Sequence, residues 1–413
     1  MTKRHRNDRP PARRRRQLGC LAGVAVVLVT GLGAAAPTQA TPAQAPPGAP
    51  SAPGAPSARG GPAADTSDRA APRAVSGRAA PATHDWATRY SVHPGQSIQQ
   101  AIDAARPGDT VVVHPGTYRE SVRITTSDVT LRGAGPSTVL MPPPATDRRA
   151  AHACATAGHG ICVTGTKAAE VRGVSVRSLK LTGFAAAGLW ASRTDRLSVR
   201  QVTAEKNGTF GLGQEKSTRA VIRDNIARDN RDAGVFLANT VGEEGGATDT
   251  LGTRVSDNDL TGNRVGINIK RVRNLTARAN DISGNCAGIF VVSDESKPAA
   301  GAMTIRGNTI RENNKLCPAS PRLPAIQGSG IVLTGSDATV IRDNRVLGNA
   351  GTAPMSGGIV LSESFVGATN ENNVIENNEV IGNSKADLVH RGPGAGNSFA
   401  GNVCQSSEPS GMC

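Results

Sequence analysis

The sequence predicts an all-β solenoid of short stacked strands, on three observations. The first is a repeated phrase. GINIKRVRNLTARANDISGN, from Gly266 to Asn285, runs as a glycine, a short apolar strand, a polar turn and a second β-rich run, and it closes with two asparagines five apart. The asparagine pair recurs as Asn225/Asn230, Asn258/Asn263, Asn308/Asn313, Asn344/Asn349 and Asn378/Asn383. The opening recurs as Gly188-Leu189, Gly211-Leu212, Gly234-Val235, Gly288-Ile289, Gly330-Ile331 and Gly358-Ile359. The second observation is the period: the shortest steps between these glycines are 22 and 23 residues, too short for paired-helix repeats, which need well over ~30. The third is alternation, as in Ile267/Ile269 and Ile289/Val291, the period of a strand. One such coil cannot bury its own apolar face, so it stacks on the next. At a strand spacing of ~4.8 Å the stack is a parallel β-helix. Asparagine tolerates the left-handed backbone of a sharp turn, and stacked amides can bond one another as a ladder. The leucine consensus of the rival leucine-rich repeat is missing.

In chain order, residues 1–40 read as an export signal, with a basic start (Arg13 to Arg16), an apolar run from Cys20 and small residues before a cut after Ala40. The apolar run is short for a membrane span, so no stable membrane insertion is expected after cleavage. Residues 41–85 are rich in Ala, Pro, Gly and Ser and cannot bury enough surface to fold, so they read as a linker, such as one crossing a cell wall. Residues 86–413 form the solenoid domain. It opens with a short amphipathic helix, Ser97 to Ala105, where Ser97 and Gln100 make a capping-box pattern and Ile98, Ala101, Ile102 and Ala105 share a face. Such a helix covers the open edge of the first coil. Pro107-Gly108-Asp109 and His114-Pro115-Gly116 then turn the chain between Thr110–Val113 and the strands that begin the coils.

The net charge of +14 overstates the basicity of the domain, because residues 1–40 hold eight Lys/Arg against one Asp. What remains is compatible with an acidic polymer nearby or with a solvated basic surface, and no nucleic-acid-binding motif accompanies it. Six cysteines follow the signal, an even count that suits disulfides in an exported chain. Neighbour pairing is expected: Cys154–Cys162, Cys286–Cys317 and Cys404–Cys413. Cys286 follows the closing Asn285 of one coil, and Cys317 lies shortly after Asn313, its counterpart one coil on.

These repeats, with the entry YSVHPGQSIQQAIDAARPGDTVVVHPGTYRESVRI from Tyr90 to Ile124, resemble the right-handed parallel β-helix superfamily, namely the pectate-lyase-like proteins and especially the NosD-like group of secreted β-helix proteins. The resemblance covers Tyr90 to Cys413. It implies a fold shared by lyases, hydrolases, esterases, epimerases and non-enzymes.

The insertions point to where chemistry would sit. Asn239 to Gly252, Ser293 to Gly301 and Glu363 to Thr369 follow the Gly-Ile strand, while Asn314 to Ser329 and Ala350 to Gly357 precede it. Loops on both flanks of one sheet should make a groove over it, the face on which pectate-lyase-like proteins place their sites. Side chains between the inward positions would point into that groove. Trp190, Phe236, Asn268 and Phe290 are the expected substrate contacts, because aromatic faces stack on sugar rings. The alternative is that these aromatics pack under the long loops. A uronate lyase needs a Lys or Arg base and commonly Ca²⁺ held by carboxylates, so Lys270, Glu243 and Asp294 are the catalytic candidates. A hydrolase is less favoured: Gly158-His159-Gly160 and Asn268-Ile269-Lys270 faintly echo polygalacturonase motifs, but the paired-Asp motif is absent. The esterase and epimerase signatures are also missing. The expectation is a secreted or cell-wall-associated β-helix that binds, with cleavage left open, an extracellular polysaccharide such as a uronic-acid polymer. The rival is a non-catalytic surface β-helix with protein partners. The sequence fixes no metal and no oligomeric state.

Overall fold

A computed structural model of the chain describes residues 87–144, 152–240, 245–319 and 324–413. The signal (1–40) and linker (41–85) expectations lie outside the described residues.

Each coil contributes three short strands, and the coils stack in parallel register. The front sheet has eleven strands, from Val122–Ile124 to Ser407–Glu408. Among the described residues, 21 further strands form a set that folds into a second and a third face, and Val171–Arg172 pairs separately with Thr194–Asp195. Ser175–Thr182 and Ser198–Glu205 run across both faces and bend at Ser178 and Gln201, which take φ of 56° and 53°. Inward residues of all three faces merge in one core, filled by Val176, Val199, Ile222, Val235, Ile267, Ile289, Ile305, Ile331 and their equivalents. This is the predicted parallel β-helix, and its alternation is the predicted period of two.

The paired asparagines form two ladders. In one, Asn225 Nδ2 donates to Asn258 Oδ1 at 2.9 Å, Asn258 to Asn280 at 2.9 Å, and the series continues through Asn308, Asn344 and Asn378 to Asn402. The other runs from Asn207 through Asn230, Asn263, Asn285, Asn313 and Asn349 to Asn383. Each amide also satisfies the backbone: Asn258 Oδ1 accepts from Asn225 N–H, and Asn258 Nδ2 donates to Ile222 O. Buried turns thus keep their polar groups paired. Of the two expected reasons for asparagine, the amide ladder is present and the left-handed asparagine is not. The left-handed residue is the one before it, Asp224 (φ 56°), Asp257 (57°), Ala279 (51°) or Asn377 (53°), and the ladder asparagines themselves are not left-handed. Asparagine is selected here for its side-chain amide.

The repeat glycines have a separate cause. A Cβ on Gly234 would lie 2.9 Å from Gly266 O, and one on Gly266 would lie 2.7 Å from Gly288 O. The coil above leaves no room for a side chain there.

The N-terminal helix forms at Ile98–Ala104 with Ser97 as its N-cap. Gln100 does not complete a capping box. Instead Glu120 accepts from Ile98 N–H (2.7 Å) and Gln99 N–H (3.2 Å), placing a carboxylate where unpaired N–H groups and the helix dipole favour it. Gln99 pairs its amide with the backbone N–H and C=O of Arg123 on the first front strand. The edge is covered as predicted, by a side chain that imitates a strand. All three expected disulfides are present, with Cα–Cα distances of 5.7 Å (Cys154–Cys162), 5.9 Å (Cys286–Cys317) and 5.4 Å (Cys404–Cys413).

Candidate functional site

The outward columns of the front sheet follow from its register. One column runs Cys162, Trp190, Gly213, Phe236, Asn268, Phe290, Val332, Val360. Two residues on, the next runs Thr164, Ser192, Glu215, Ala238, Lys270, Val292, Thr334, Ser362. These are the columns that the alternation predicted.

The predicted groove over them is only half there. In the upper coils, Phe290 (2% exposed), Val332 and Val360 pack with Cys317, Ile326 and Met355 in a second apolar cluster outside the solenoid. The loops that precede the strands lie on the sheet, and Cys286–Cys317 ties one of them down. The physical reason is apolar area: leaving a Phe or Val exposed forgoes about 1.5–3 kcal/mol each. Between Gly188, Gly211 and Gly234 the coil-to-coil steps carry no insertion, and the aromatics cover one another. Phe210 and Phe236 stack at 4.2 Å between centroids with an interplanar angle of 2°. Trp190 lies over both, at 5.9 Å and 6.3 Å, and its other neighbour is His159 at 5.6 Å and 9°. Phe236 is 4% exposed beneath this stack, whereas Trp190 is half-buried and presents the surface. Gly213, directly opposite Trp190 in the register, makes room for the indole: a Cβ there would lie 2.7 Å from its ring.

Polar groups edge this patch. Ser192 Oγ donates to Glu215 Oε1 at 3.2 Å. Lys270 is half-buried in the same column as Glu215, with Ala238 between them, a backbone separation of roughly 10 Å. His159 Nδ1 accepts from Ala187 N–H at 3.1 Å, so the neutral ring carries its proton on Nε2, and burial holds its pKa below the ordinary value. Asp232 precedes the strand Ala233–Ala238; burial pushes its carboxyl up, with Arg264 pulling it partly back. Asp232 and Glu215 cannot act as a hydrolytic pair. About six residues of extended chain, roughly 20 Å, lie between their columns, twice the widest carboxylate spacing that inversion uses.

Of the catalytic candidates, Asp294 is already engaged within the fold. Asp294 Oδ2 pairs with Arg271 at 2.9 Å, with both side chains nearly buried, and Asp294 Oδ1 accepts from Ser296 N–H. Burial alone would raise its pKa, but Arg271 and the Ser296 and Gly245 amides outweigh that and hold it low. Arg271 also donates to Thr240 O at 3.0 Å, so the pair fastens one loop to the next. Glu243 lies outside the described residues. Asn268 stands half-buried between Phe236 and Phe290, and its Oδ1 is shut from solvent without a partner. Among the described residues, no three His, Cys, Asp or Glu side chains are grouped as metal ligands. Sequence reasoning missed Phe210. Its slot, one before the repeat glycine, is also held by Ala187, Ala233, Val265 and Ala287, an outward apolar column that was readable.

Residues 246–412 match the family model for a right handed beta helix region. With the stacked parallel coils, this makes the protein a right-handed parallel β-helix. No curated protein sequence matches the chain. Among solved structures it is similar to the A-module of mannuronan C-5 epimerase AlgE4 from Azotobacter vinelandii, at 17% identity over 75% of this chain and 94% of that one, with a TM-score of 0.48. It is also similar to a DFA-IIIase from Arthrobacter chlorophenolicus A6 in complex with GF2, at 13% identity over 76% and 93%, TM-score 0.48. A third is the periplasmic alginate epimerase AlgG double mutant, at 13% identity over 76% and 68%, TM-score 0.47. Likeness of this degree says nothing about this chain's chemistry.

Proposed function

We propose that this is an exported protein, extracellular or cell-wall-associated, whose lower front sheet binds a polysaccharide. The observation that carries the reading is the Trp190 face: a half-buried indole on a stacked aromatic base, edged by Ser192, Glu215 and Lys270. An aromatic body with a polar tip suits a ligand that is apolar on one face and hydroxylated at its rim. Three disulfides support export, and no helix among the described residues is long and apolar enough to cross a membrane. Trp190→Ala should abolish glycan retention while the fold survives; unchanged retention would refute the assignment. Screening pectate, alginate and glycosaminoglycans with and without Ca²⁺, for unsaturated products and for new reducing ends, tests cleavage. A second reading, a non-catalytic surface β-helix with protein partners, is favoured by the loop-filled upper half and by the engagement of Asp294 with Arg271.

A further inference from the structure

The outer side of the second face carries an unusual column. Arg132, Arg177, Arg200 and Arg223 are register partners in consecutive coils, then come Ser256, Arg278, Arg306 and Arg342. Arg254, exposed and two residues before Ser256, fills the gap from the adjacent column. Their strand neighbours Leu131, Val176, Val199, Ile222, Ala277, Ile305 and Ile341 face the core, so alternation turns the arginines outward. Eight strands at ~4.8 Å make a straight stripe of roughly 34 Å.

Like charges directly opposite one another in a sheet are destabilising, and this face does little to offset them. Arg223 pairs with Asp224 (3.0 Å), Arg342 with Asp343 (2.8 Å) and Arg278 with Asp257 (3.9 Å). Among the described residues Arg132, Arg177, Arg200, Arg254 and Arg306 have no carboxylate within 4.0 Å, and Arg177 Nε is shut from solvent with no acceptor. The third face of the same coils solves the problem differently. There Lys180 and Arg228 share Glu205 (2.6 and 2.7 Å), Arg311 pairs with Asp281 (3.2 Å), and Arg345 with Glu379 (2.7 Å). The fold can neutralise its ladders, and on the second face it does so at only three of the arginines named, Arg223, Arg278 and Arg342, with Glu376 following Arg342 in the register.

We propose that this arginine stripe binds a linear anionic polysaccharide, one carrying a carboxylate or sulfate on each sugar, laid along the solenoid axis. Guanidinium groups fit such anions with paired N–H donors. Apart from Val221, Arg254 and Val340, the neighbouring column is small and hydroxylated, with Thr130, Ser175, Ser198, Thr276 and Thr304, so a flat chain can reach the arginines. A nucleic acid fits less well: the columns named offer no aromatic side chain for base stacking, and duplex phosphates wind away from a straight row. This site is separate from the Trp190 face and stands or falls without it.

The test uses the exported chain with polygalacturonate, with dextran as the neutral arm and a single-stranded oligonucleotide as the third. Affinity is measured over a salt series. Polygalacturonate should bind with strong salt dependence and dextran should not bind through the stripe. In Arg200→Ser/Arg223→Ser/Arg306→Ser, serine being what the column already holds at Ser256, affinity should fall at least about tenfold, and the slope of log K on log salt should fall by about two. Arg200→Lys/Arg223→Lys/Arg306→Lys should keep the slope, and Arg311→Ser, on the neutralised third face, should keep both. Wild-type affinity in the serine variant, salt-independent binding, or an equal loss in Arg311→Ser would overturn the proposal. Tighter binding of the oligonucleotide would overturn the choice of polysaccharide. Should the triple serine variant not fold, Arg306→Ser alone, at an exposed position, carries the comparison with a smaller expected loss.

Discussion

The lower and upper coils of the front sheet share register, core and ladders, yet present opposite outer surfaces. Below Asn268 the face is an aromatic stack with Trp190 on top; above it the face is roofed by the chain's own loops. The cause is the length of chain between strands. Gly188, Gly211 and Gly234 follow at 23-residue steps, whereas residues 314–328 and 350–356 are extra chain that brings Cys317, Ile326 and Met355 onto the sheet. In a solenoid, what a face offers to partners is set by what is inserted between coils as much as by the coils themselves.

That contrast can be broken at its strongest point first. Phe290→Ala, which empties a buried site in the roofed half, should destabilise the protein by about 3–5 kcal/mol in denaturant unfolding; a loss well under that would mean the roof is not packed. Next, replacing both Cys286 and Cys317 by serine frees the roof. With the cysteines 31 residues apart, the chain-entropy account gives a loss of about 3–4 kcal/mol, and a hydrophobic dye should bind the newly opened upper face. Trp190→Ala should cost less in stability, about 1–2 kcal/mol, because the indole is only partly buried; a loss as large as that of Phe290→Ala would make Trp190 a core residue.

The remaining two effects are smaller. Burial lowers the His159 pKa from its ordinary value of 6.5, so the unfolded chain binds the proton more readily. Stability from this group is whole above that value and is lost as pH falls toward the folded pKa. His159→Gln should therefore lose less stability than wild type between about pH 7 and pH 5, measured by urea unfolding at both ends; equal losses would remove His159 as the source. Last, Asn268→Leu removes an unpaired buried acceptor and should leave stability unchanged or raise it by about 1 kcal/mol. If it also loses glycan, the amide serves the ligand.

Much of the fold was readable because the repeat is written in residues with a single use. Asparagines five apart, glycines at a fixed step and alternating Ile/Val each answer one local constraint. Of the cysteine pairs, Cys286–Cys317 had a reason in that register, while Cys154–Cys162 and Cys404–Cys413 rested on closeness in sequence. The site was less readable. Phe236 and Phe290 occupy equivalent slots, and only the distant chain packed over them decides how each is buried. Asp294 reads as a rim carboxylate until Arg271, 23 residues away, is seen to hold it. The arginine stripe was legible in retrospect, since Arg223, Arg278, Arg306 and Arg342 each stand two residues before a ladder asparagine.

The second asparagine ladder does not fade out at its top. Asn383 donates both its backbone N–H and its Nδ2 to Asp387 Oδ1, each at 2.9 Å, and Asp387 Oδ2 takes the Gln405 N–H at 3.0 Å. An amide receives from one neighbour and gives to the next; a carboxylate can only receive. Asp387 is therefore a full stop in a sentence otherwise made of commas. A duplicated coil inserted anywhere below it would find a donor on one side and an acceptor on the other, whereas one appended beyond it would find nothing to continue. Proteins of this build can lengthen from within, by copying a middle phrase, while their last word stays fixed.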